Sequence, residues 1–360
     1  MLQRVFVPEP FAKQEIISIV LASPVEGEKL EAEGLALSER ILPIAYENTG
    51  ERAPGLLLDL NSEEYQRVDY VFKALGFAAK ELHIAGSSAL VYLGDASESG
   101  NETFDAKLQA DFLCAVFTEV MGYYGRLDVS DITWRLAMIK SRAWSYALAQ
   151  TPFAAEQRSA RQRREVECEA EIATHEGFFL TRTYTLRHPR FEGGMSPDLK
   201  REVFVVGEAA LVLPYDPLRD RILLVEQFRL GPYGRGDVLP WVLEPVAGRV
   251  DAGETPENAA RRECVEEAGL ELKELTHINT HYCSPGCSTE MFHCYLGLCD
   301  LPDAVIGHGG LETEHEDIRT HVISFAQAQS LMQSGEINIG PLYLMLLWLE
   351  RERDKLLGKA

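Results

Sequence analysis

Residues 248–270 read Gly248-Arg249-Val250-Asp251-Ala252-Gly253-Glu254-Thr255-Pro256-Glu257-Asn258-Ala259-Ala260-Arg261-Arg262-Glu263-Cys264-Val265-Glu266-Glu267-Ala268-Gly269-Leu270. Thr255-Pro256 predicts a helix start: a hydroxyl that can cap free N–H groups, then proline where its missing N–H costs nothing. Ala259, Ala260 and Ala268 favour the helix, and Gly269 stands where a left-handed terminal residue is expected. On such a helix Glu263 and Glu267 project from one face with Glu266 beside them, and carboxylates so placed repel. Arg262 can answer Glu266, but nothing local answers Glu263 and Glu267. A hard divalent cation would, and magnesium held by a few carboxylates together with substrate phosphates suits oxygen ligands of this kind. A solvated glutamate-rich face is the bland alternative, and the spaced glycines and Glu254 weigh against it.

Composition narrows the setting. At 360 residues the chain has room for two domains. A net charge of −21 disfavours a nucleic-acid backbone as partner, and no apolar run is long enough to predict a membrane span. The first residues lack the layout of a secretory signal, and seven irregularly spaced cysteines suggest reduced thiols, so the cytoplasm is the expected compartment. Cys283 and Cys287 flank a Ser-Pro-Gly turn with His281 and His293 near. A zinc site there is a minor alternative, since no second paired-cysteine element follows.

Outward from the central stretch, short apolar runs predict strands at Ile16–Val20, Leu56–Leu58, Ala89–Tyr92, Arg182–Arg187, Glu202–Val206, Ala209–Leu213, Ile222–Glu226, His277–Tyr282 and Met291–Gly297. Helical periodicity marks Glu63–Leu75, Asp111–Tyr124, Trp134–Leu148 and Leu342–Lys355. A charged stretch carrying Arg158, Arg161, Arg163 and Arg164 separates the two halves and predicts a solvated linker helix. The expected organisation is a mixed α+β domain at 1–152, a linker helix at 153–167 and an α/β sandwich at 168–360.

The second half resembles the ADP-ribose pyrophosphatases of the Nudix superfamily. The central stretch fills every fixed position of the box G-x5-E-x7-R-E-U-x-E-E-x-G-U, where U is aliphatic in the family and Cys264 and Leu270 take its places. Flanking motifs follow in family order: Gly177-Phe178-Phe179, Lys200-Arg201-Glu202, Leu213-Pro214-Tyr215-Asp216-Pro217 and Leu224-Val225-Glu226-Gln227-Phe228-Arg229. After them come Trp241-Val242-Leu243-Glu244, the box, Ser284-Pro285-Gly286 with Glu290, and Glu314-His315-Glu316-Asp317-Ile318. The resemblance implies a Nudix α/β/α sandwich holding two or three Mg2+ ions, with Mn2+ able to substitute. It implies metal ligands at Glu263, Glu267, Glu316 and the Ala247 carbonyl, and catalytic roles for Glu314, Glu266 and Arg262, with Glu314 deprotonating the attacking water. It implies substrate contacts at Phe178, Phe179, Arg201, Glu202, Arg229, Arg249, Ser284, Pro285, Gly286 and Glu290. The implied reaction converts ADP-ribose and water to AMP and ribose 5-phosphate in a homodimer. A Nudix hydrolase of another nucleotide sugar such as GDP-mannose, or a non-catalytic ADP-ribose sensor, are the alternatives.

The first half is similar to a gamma-glutamylcyclotransferase-like domain, a small mixed α+β barrel, through Val5-Phe6-Val7, Pro54-Gly55-Leu56-Leu57-Leu58, Arg67-Val68-Asp69-Tyr70 and Leu90-Val91-Tyr92. Bacterial fusions of such a domain to an ADP-ribose pyrophosphatase exist, some described as tellurite-resistance proteins. The family's catalytic parts are missing. Pro8-Glu9-Pro10-Phe11 replaces its glycine loop, and Phe72 stands where it places a glutamate. A phenyl ring carries no proton, so a degenerate domain serving dimerisation, regulation or stability is expected.

Overall fold

A computed structural model of the chain describes residues 2–95, 97, 103–303, 307–310 and 316–358. It divides into two units, Met1–Val206 and Gly207–Ala360.

The first unit begins with β1 (Gln3–Pro8), whose Val5, Phe6 and Val7 are all fully buried. Helix α1 (Gln14–Leu21) follows, then β2 (Glu28–Leu37), β3 (Ala45–Leu60), α2 (Ser62–Ala74), β4 (Ala78–Ile84) and β5 (Ser87–Leu93). Three further helices are α3 (Ala106–Gly122), α4 (Val129–Thr133) and α5 (Leu136–Leu148). The strands form a curled half-barrel in the order β2-β3-β1-β5-β4, with β1 antiparallel to β3 and parallel to β5. Ile16–Val20, expected as a strand, lies inside α1. Its buried residues are Ile16, Ile17, Val20 and Leu21, a spacing that puts one face of a helix inward. The β-branched residues argued for a strand, and this packing overrode that propensity. The helix expected at Trp134–Leu148 starts two residues later, because α4 ends at Thr133 and the chain turns before Leu136.

The two departures from the cyclotransferase pattern meet in the core. Phe11 and Phe72 pack edge to face at 5.4 Å, and Phe72 stacks on Tyr92 at 5.0 Å. Phe77 lies 6.0 Å from Phe11, and Phe117 stacks on Phe11 at 5.6 Å. Phe11, Phe72 and Phe117 are no more than 2% exposed. Each such pair adds about 0.5–1.5 kcal/mol beyond its buried area. The one polar atom of the cluster, the Tyr92 hydroxyl, donates to Asp69 at 2.8 Å, and burial with this bond raises its pKa far above the phenol range.

Residues 153–167 form no α-helix. They are exposed apart from a half-buried Val166, and the only helical turn is a 3-10 turn at Arg163–Glu165. The expected linker helix has no apolar face to bury, and a polar helix without packing is marginal in water. A separate antiparallel sheet follows in the order β6 (Glu167–Glu176), β7 (Leu180–Arg187), β8 (Leu199–Val205). Compactness groups this sheet with the first unit.

The second unit contains β9 (Glu208–Asp216), β10 (Arg221–Phe228), α6 (Leu230–Arg235), β11 (Trp241–Glu244), β12 (Val246–Arg249) and α7 (Pro256–Ala268). Strands β13 (Glu274–Tyr282), β14 (Met291–Leu298), β15 (His308–Gly309) and β16 (Ile318–Ser324) precede helices α8 (Phe325–Ser334) and α9 (Gly340–Leu356). Its eight-stranded sheet runs β13-β14-β9-β10-β16-β15, with β11 on β10 and β12 on β9. Leu211, Leu213 and Tyr215 of β9 join Phe325 of α8 and Leu342, Met345, Leu346 and Leu349 of α9 in one core cluster. The alternate β9 residues Ala210 and Val212 are also fully buried, and α7 packs against β9 and β12. Helices thus cover both faces of a mixed sheet, and that layering delivers the box helix to the strand ends.

Candidate active site

The box segment folds as its residues dictate. The Thr255 hydroxyl accepts from the Asn258 N–H at 3.2 Å, Pro256 opens α7, and Gly269 ends it at φ 62°. The residues that α7 buries are Ala259, Ala260, Cys264 and Glu267. Position 267 therefore belongs to the core stripe, yet it holds a glutamate 2% exposed.

The Glu267 carboxylate accepts the Ala247 N–H at 3.1 Å. Burial pushes its pKa up to about 8 against that bond, and the charges of Glu263 and Glu316 add to the rise. Burial likewise pushes Glu263 up to about 7, outweighing the Arg262 guanidinium that bonds it at 2.6 Å, while Glu266 and Glu316 raise it further. Glu263 lies against Gly248, where a Cβ would fall 1.8 Å from its carboxylate oxygen. Any side chain at 248 would displace that carboxylate. Only hydrogen fits.

All five N–H donors of Arg262 are engaged. Its Nε and one Nη2 proton clamp Glu254 at 3.1 and 2.9 Å, Nη1 bridges Glu263 and Glu266 at 2.6 and 2.9 Å, and Nη2 also reaches the Arg249 carbonyl at 2.9 Å. An arginine so satisfied orients carboxylates and the β12 backbone, and its pKa is driven higher still by the Glu254 bond. Beyond α7, the Gly309 backbone presses on the Glu267 carbonyl, where a Cβ would fall 1.7 Å from oxygen, and the Gly310 N–H bonds the Glu266 carbonyl at 3.3 Å. Gly310 also touches Glu316, so this strap brings Glu316 to the end of α7 that carries Glu266 and Glu267.

Arg229 follows β10 and caps α6, and its Nε donates to Glu244 of β11 at 2.7 Å. Its charge opposes the burial-driven rise in the pKa of Glu267 and of Glu290. In the 283–290 loop Ser284 accepts the N–H groups of Cys287 and Ser288 at 3.1 and 2.9 Å, with Pro285 and Gly286 exposed at the tip. Burial raises the Glu290 pKa despite its bond to the Cys283 thiol. Arg249 is exposed. The remaining expected contacts belong to the three-stranded sheet. Phe178 and Phe179 meet edge to face at 5.0 Å, Phe179 lies 4.8 Å from Phe204, and Phe178 and Phe179 stay 43% and 39% exposed, so they are not core. Arg201 and Glu202 are exposed on β8. Glu314, expected as the base, lies outside the described residues.

Among the described residues no three His, Cys, Asp or Glu side chains are grouped closely enough to hold an ion. The donor chemistry nevertheless suits a hard cation. Glu267 takes a core position, Glu263 lies half-buried one turn before it, and burial raises their pKa values to about 8 and 7. A divalent ion would supply compensating charge. The zinc alternative at Cys283 and Cys287 gains no third ligand among the described residues.

Sequence reasoning missed Glu244 as the partner of Arg229, Glu254 as the clamp of Arg262, and the Gly309–Gly310 strap. The glycine run Gly307, Gly309, Gly310 is the signal that could have marked the strap, since closely spaced glycines often mean close backbone approach.

Residues 205–343 match the NUDIX domain family model. The ADP-ribose pyrophosphatase of Escherichia coli (strain K12) is 39% identical over 194 residues, covering 54% of this chain and 92% of that protein. The Haemophilus influenzae ADP-ribose pyrophosphatase is 39% identical over 189 residues, 52% of this chain and 87% of its own length. A GDP-mannose pyrophosphatase of Escherichia coli O1:K1 / APEC is 33% identical over 151 residues, 42% of this chain and 78% of its own. A crystal structure of an ADP compounds hydrolase aligns over 56% of this chain and 100% of its own, at 18% identity and a TM-score of 0.42. With its box complete, its glutamates gathered on α7 and relatives matched over nearly their whole length, the chain belongs to the Nudix hydrolase family.

Proposed function

We propose that this protein hydrolyses ADP-ribose to AMP and ribose 5-phosphate in the presence of magnesium. The observation that carries the reading is the pair of α7 carboxylates, Glu267 buried in the core stripe and Glu263 half-buried one turn before it, which burial raises to pKa values of about 8 and 7. Such a pair is costly to a fold and useful to a site that neutralises a diphosphate. Relatives named for ADP-ribose support the substrate.

Glu263, Glu267, Glu316 and the Ala247 carbonyl would hold two or three magnesium ions, whose Lewis acidity would polarise a phosphoryl group. Arg262 keeps the carboxylates aimed by tying Glu263 and Glu266 to Glu254 and the Arg249 carbonyl. Arg229, fixed by Glu244, presents a cation toward the anionic substrate, and Glu290 with the Ser284–Gly286 turn would contact a ribose. Glu314 takes the proton of the attacking water. Phe178 and Phe179 offer flat apolar surface to the adenine.

The matched stretch of 194 residues is longer than the second unit, which supports a hydrolase domain that begins before Gly207. We therefore assign 168–360 to the hydrolase, with 1–152 as a catalytically silent domain. A homodimer is part of the same reading. GDP-mannose is the second substrate to test, because one relative is named for it. Hydrolysis of ADP-ribose, GDP-mannose and NADH with magnesium in oxygen-18 water separates the readings. AMP and ribose 5-phosphate as dominant products support the proposal, and preferential release of GMP from GDP-mannose would overturn it. Tight ADP-ribose binding without turnover would favour the sensor.

A further inference from the structure

A cavity of about 690 Å3 lies between β13 and α9 of the second unit, and none of the residues assigned to hydrolysis lines it. That volume suits a small-molecule site, since such sites run from about 300 to 1,000 Å3. The box helix packs elsewhere, against β9 and β12.

Two local features build the walls. The register of β13 slips between His277 and Asn279, and the consecutive residues Ile278 and Asn279 both line the cavity. A regular strand would send one of them to the opposite face. On α9 the core takes Leu342, Met345, Leu346 and Leu349, yet Tyr343, Leu344, Leu347 and Trp348 form a second apolar stripe that faces the cavity. Tyr343 and Leu347 stay 41% and 48% exposed, on a face that a solvated helix would fill with charge.

The polar groups are few. Asn279 Nδ2 lies 3.2 Å from His281 Nδ1, while its Oδ1 is buried with no hydrogen-bond partner among the described residues. An amide oxygen so placed is costly to the fold, and a donor entering the cavity meets it once the amide turns. Arg351 stands one turn beyond Leu347. Its Nε donates to Glu352 at 2.8 Å, and its Nη groups have no partner among the described residues. No Asp or Glu lines the cavity, although the chain has 56 of them.

We propose that this cavity is a nucleotide site separate from the box, and that it takes an adenine nucleotide. Adenine supplies what the walls lack. Its exocyclic amine donates to Asn279 Oδ1 while N7 accepts the second Nδ2 proton, the paired contact by which asparagine recognises adenine. Tyr343 and Trp348 offer rings to its flat face, and Arg351 takes the phosphate. Guanine presents an oxygen where adenine has its amine, so it would set acceptor against acceptor at Asn279. On the hydrolysis proposed above AMP is also a product, and the cavity would then hold product apart from α7.

The test uses the full-length protein without magnesium, photolabelled with 2-azido-AMP, whose azide lies away from the amine and N7 edge. Peptide mass mapping should place the label within residues 343–351, with protection by AMP and much weaker protection by GMP. Asn279→Leu keeps the side-chain size and removes the unmatched oxygen. It should leave the melting temperature unchanged or higher while weakening AMP binding roughly tenfold. Leu347→Glu sets a carboxylate on an exposed position of the wall and should abolish the α9 label. An unlabelled α9, equal protection by AMP and GMP, or wild-type labelling in both variants would overturn the proposal. The readout is independent of turnover: α9 should be labelled equally in Glu267→Gln, whether or not the wild-type protein releases AMP from ADP-ribose.

Discussion

The aromatic cluster of the first unit and the carboxylate cluster of the second are opposite solutions to burial. Around Phe72 four other rings are packed without a cavity-lining charge, and the single hydroxyl finds Asp69. Around Glu267 the helix spends a core position on a carboxylate that burial pushes to a pKa of about 8. The first cluster is satisfied as it stands, ring against ring with its hydroxyl bonded. The second is not, and on the proposed reading the mismatch is where a bound cation adds what the fold lacks.

Substitutions at the two centres should therefore move different observables. Glu267→Gln is expected to lower ADP-ribose turnover on the order of 10^3-fold, as loss of a key electrostatic group does, while leaving the cation-free melting temperature unchanged or higher. A fall in both would make Glu267 structural. Phe72→Ala should do the reverse. It removes about 3–5 kcal/mol from the first unit by opening a cavity, and urea unfolding would show this with kcat preserved below the transition. An intact unfolding midpoint would mean that the aromatic packing carries little weight.

Gly248→Ala sharpens the contrast, because the new methyl cannot coexist with the Glu263 carboxylate. Turnover should drop roughly 10–100-fold, comparable to losing the support of a metal ligand, with circular dichroism unchanged. Wild-type kcat/KM in this variant would show that Glu263 is free to move.

The pH response follows from the signs of the shifts. Glu263 and Glu267 have folded values of about 7 and 8, above the ordinary 4.5. The folded chain therefore holds excess protons between those limits, and its stability declines as pH rises through that window. Cation-free protein should lose on the order of 5 °C of melting temperature between pH 5 and pH 8. Magnesium should restore most at pH 8, where protons compete least. Calorimetry showing a rising or flat profile would remove the strain argument. The smallest effect is expected at Glu244→Gln, which loosens Arg229 and should raise KM severalfold with little change in kcat.

Legibility followed the range of the forces. Thr255, Pro256 and Gly269 act on their own turn, so α7 could be read to its caps, and the face shared by Glu263 and Glu267 came with it. The Arg229–Glu244 pair needs β10 beside β11, and the Gly309 approach needs β15 laid on α7, so neither is written in local spacing. Ile16–Val20 shows the converse, since a run with strand propensity became a helix once one side had a core to enter. The expected helix at 153–167 had propensity but no surface to pack on.

The central claim is that the chemistry resides in the α7 carboxylates, and AMP release from ADP-ribose tests it most directly. Purified full-length protein with magnesium should form AMP and ribose 5-phosphate in equal amounts, with Glu267→Gln near background. Equal rates from the two proteins, or no AMP from either, would contradict the account.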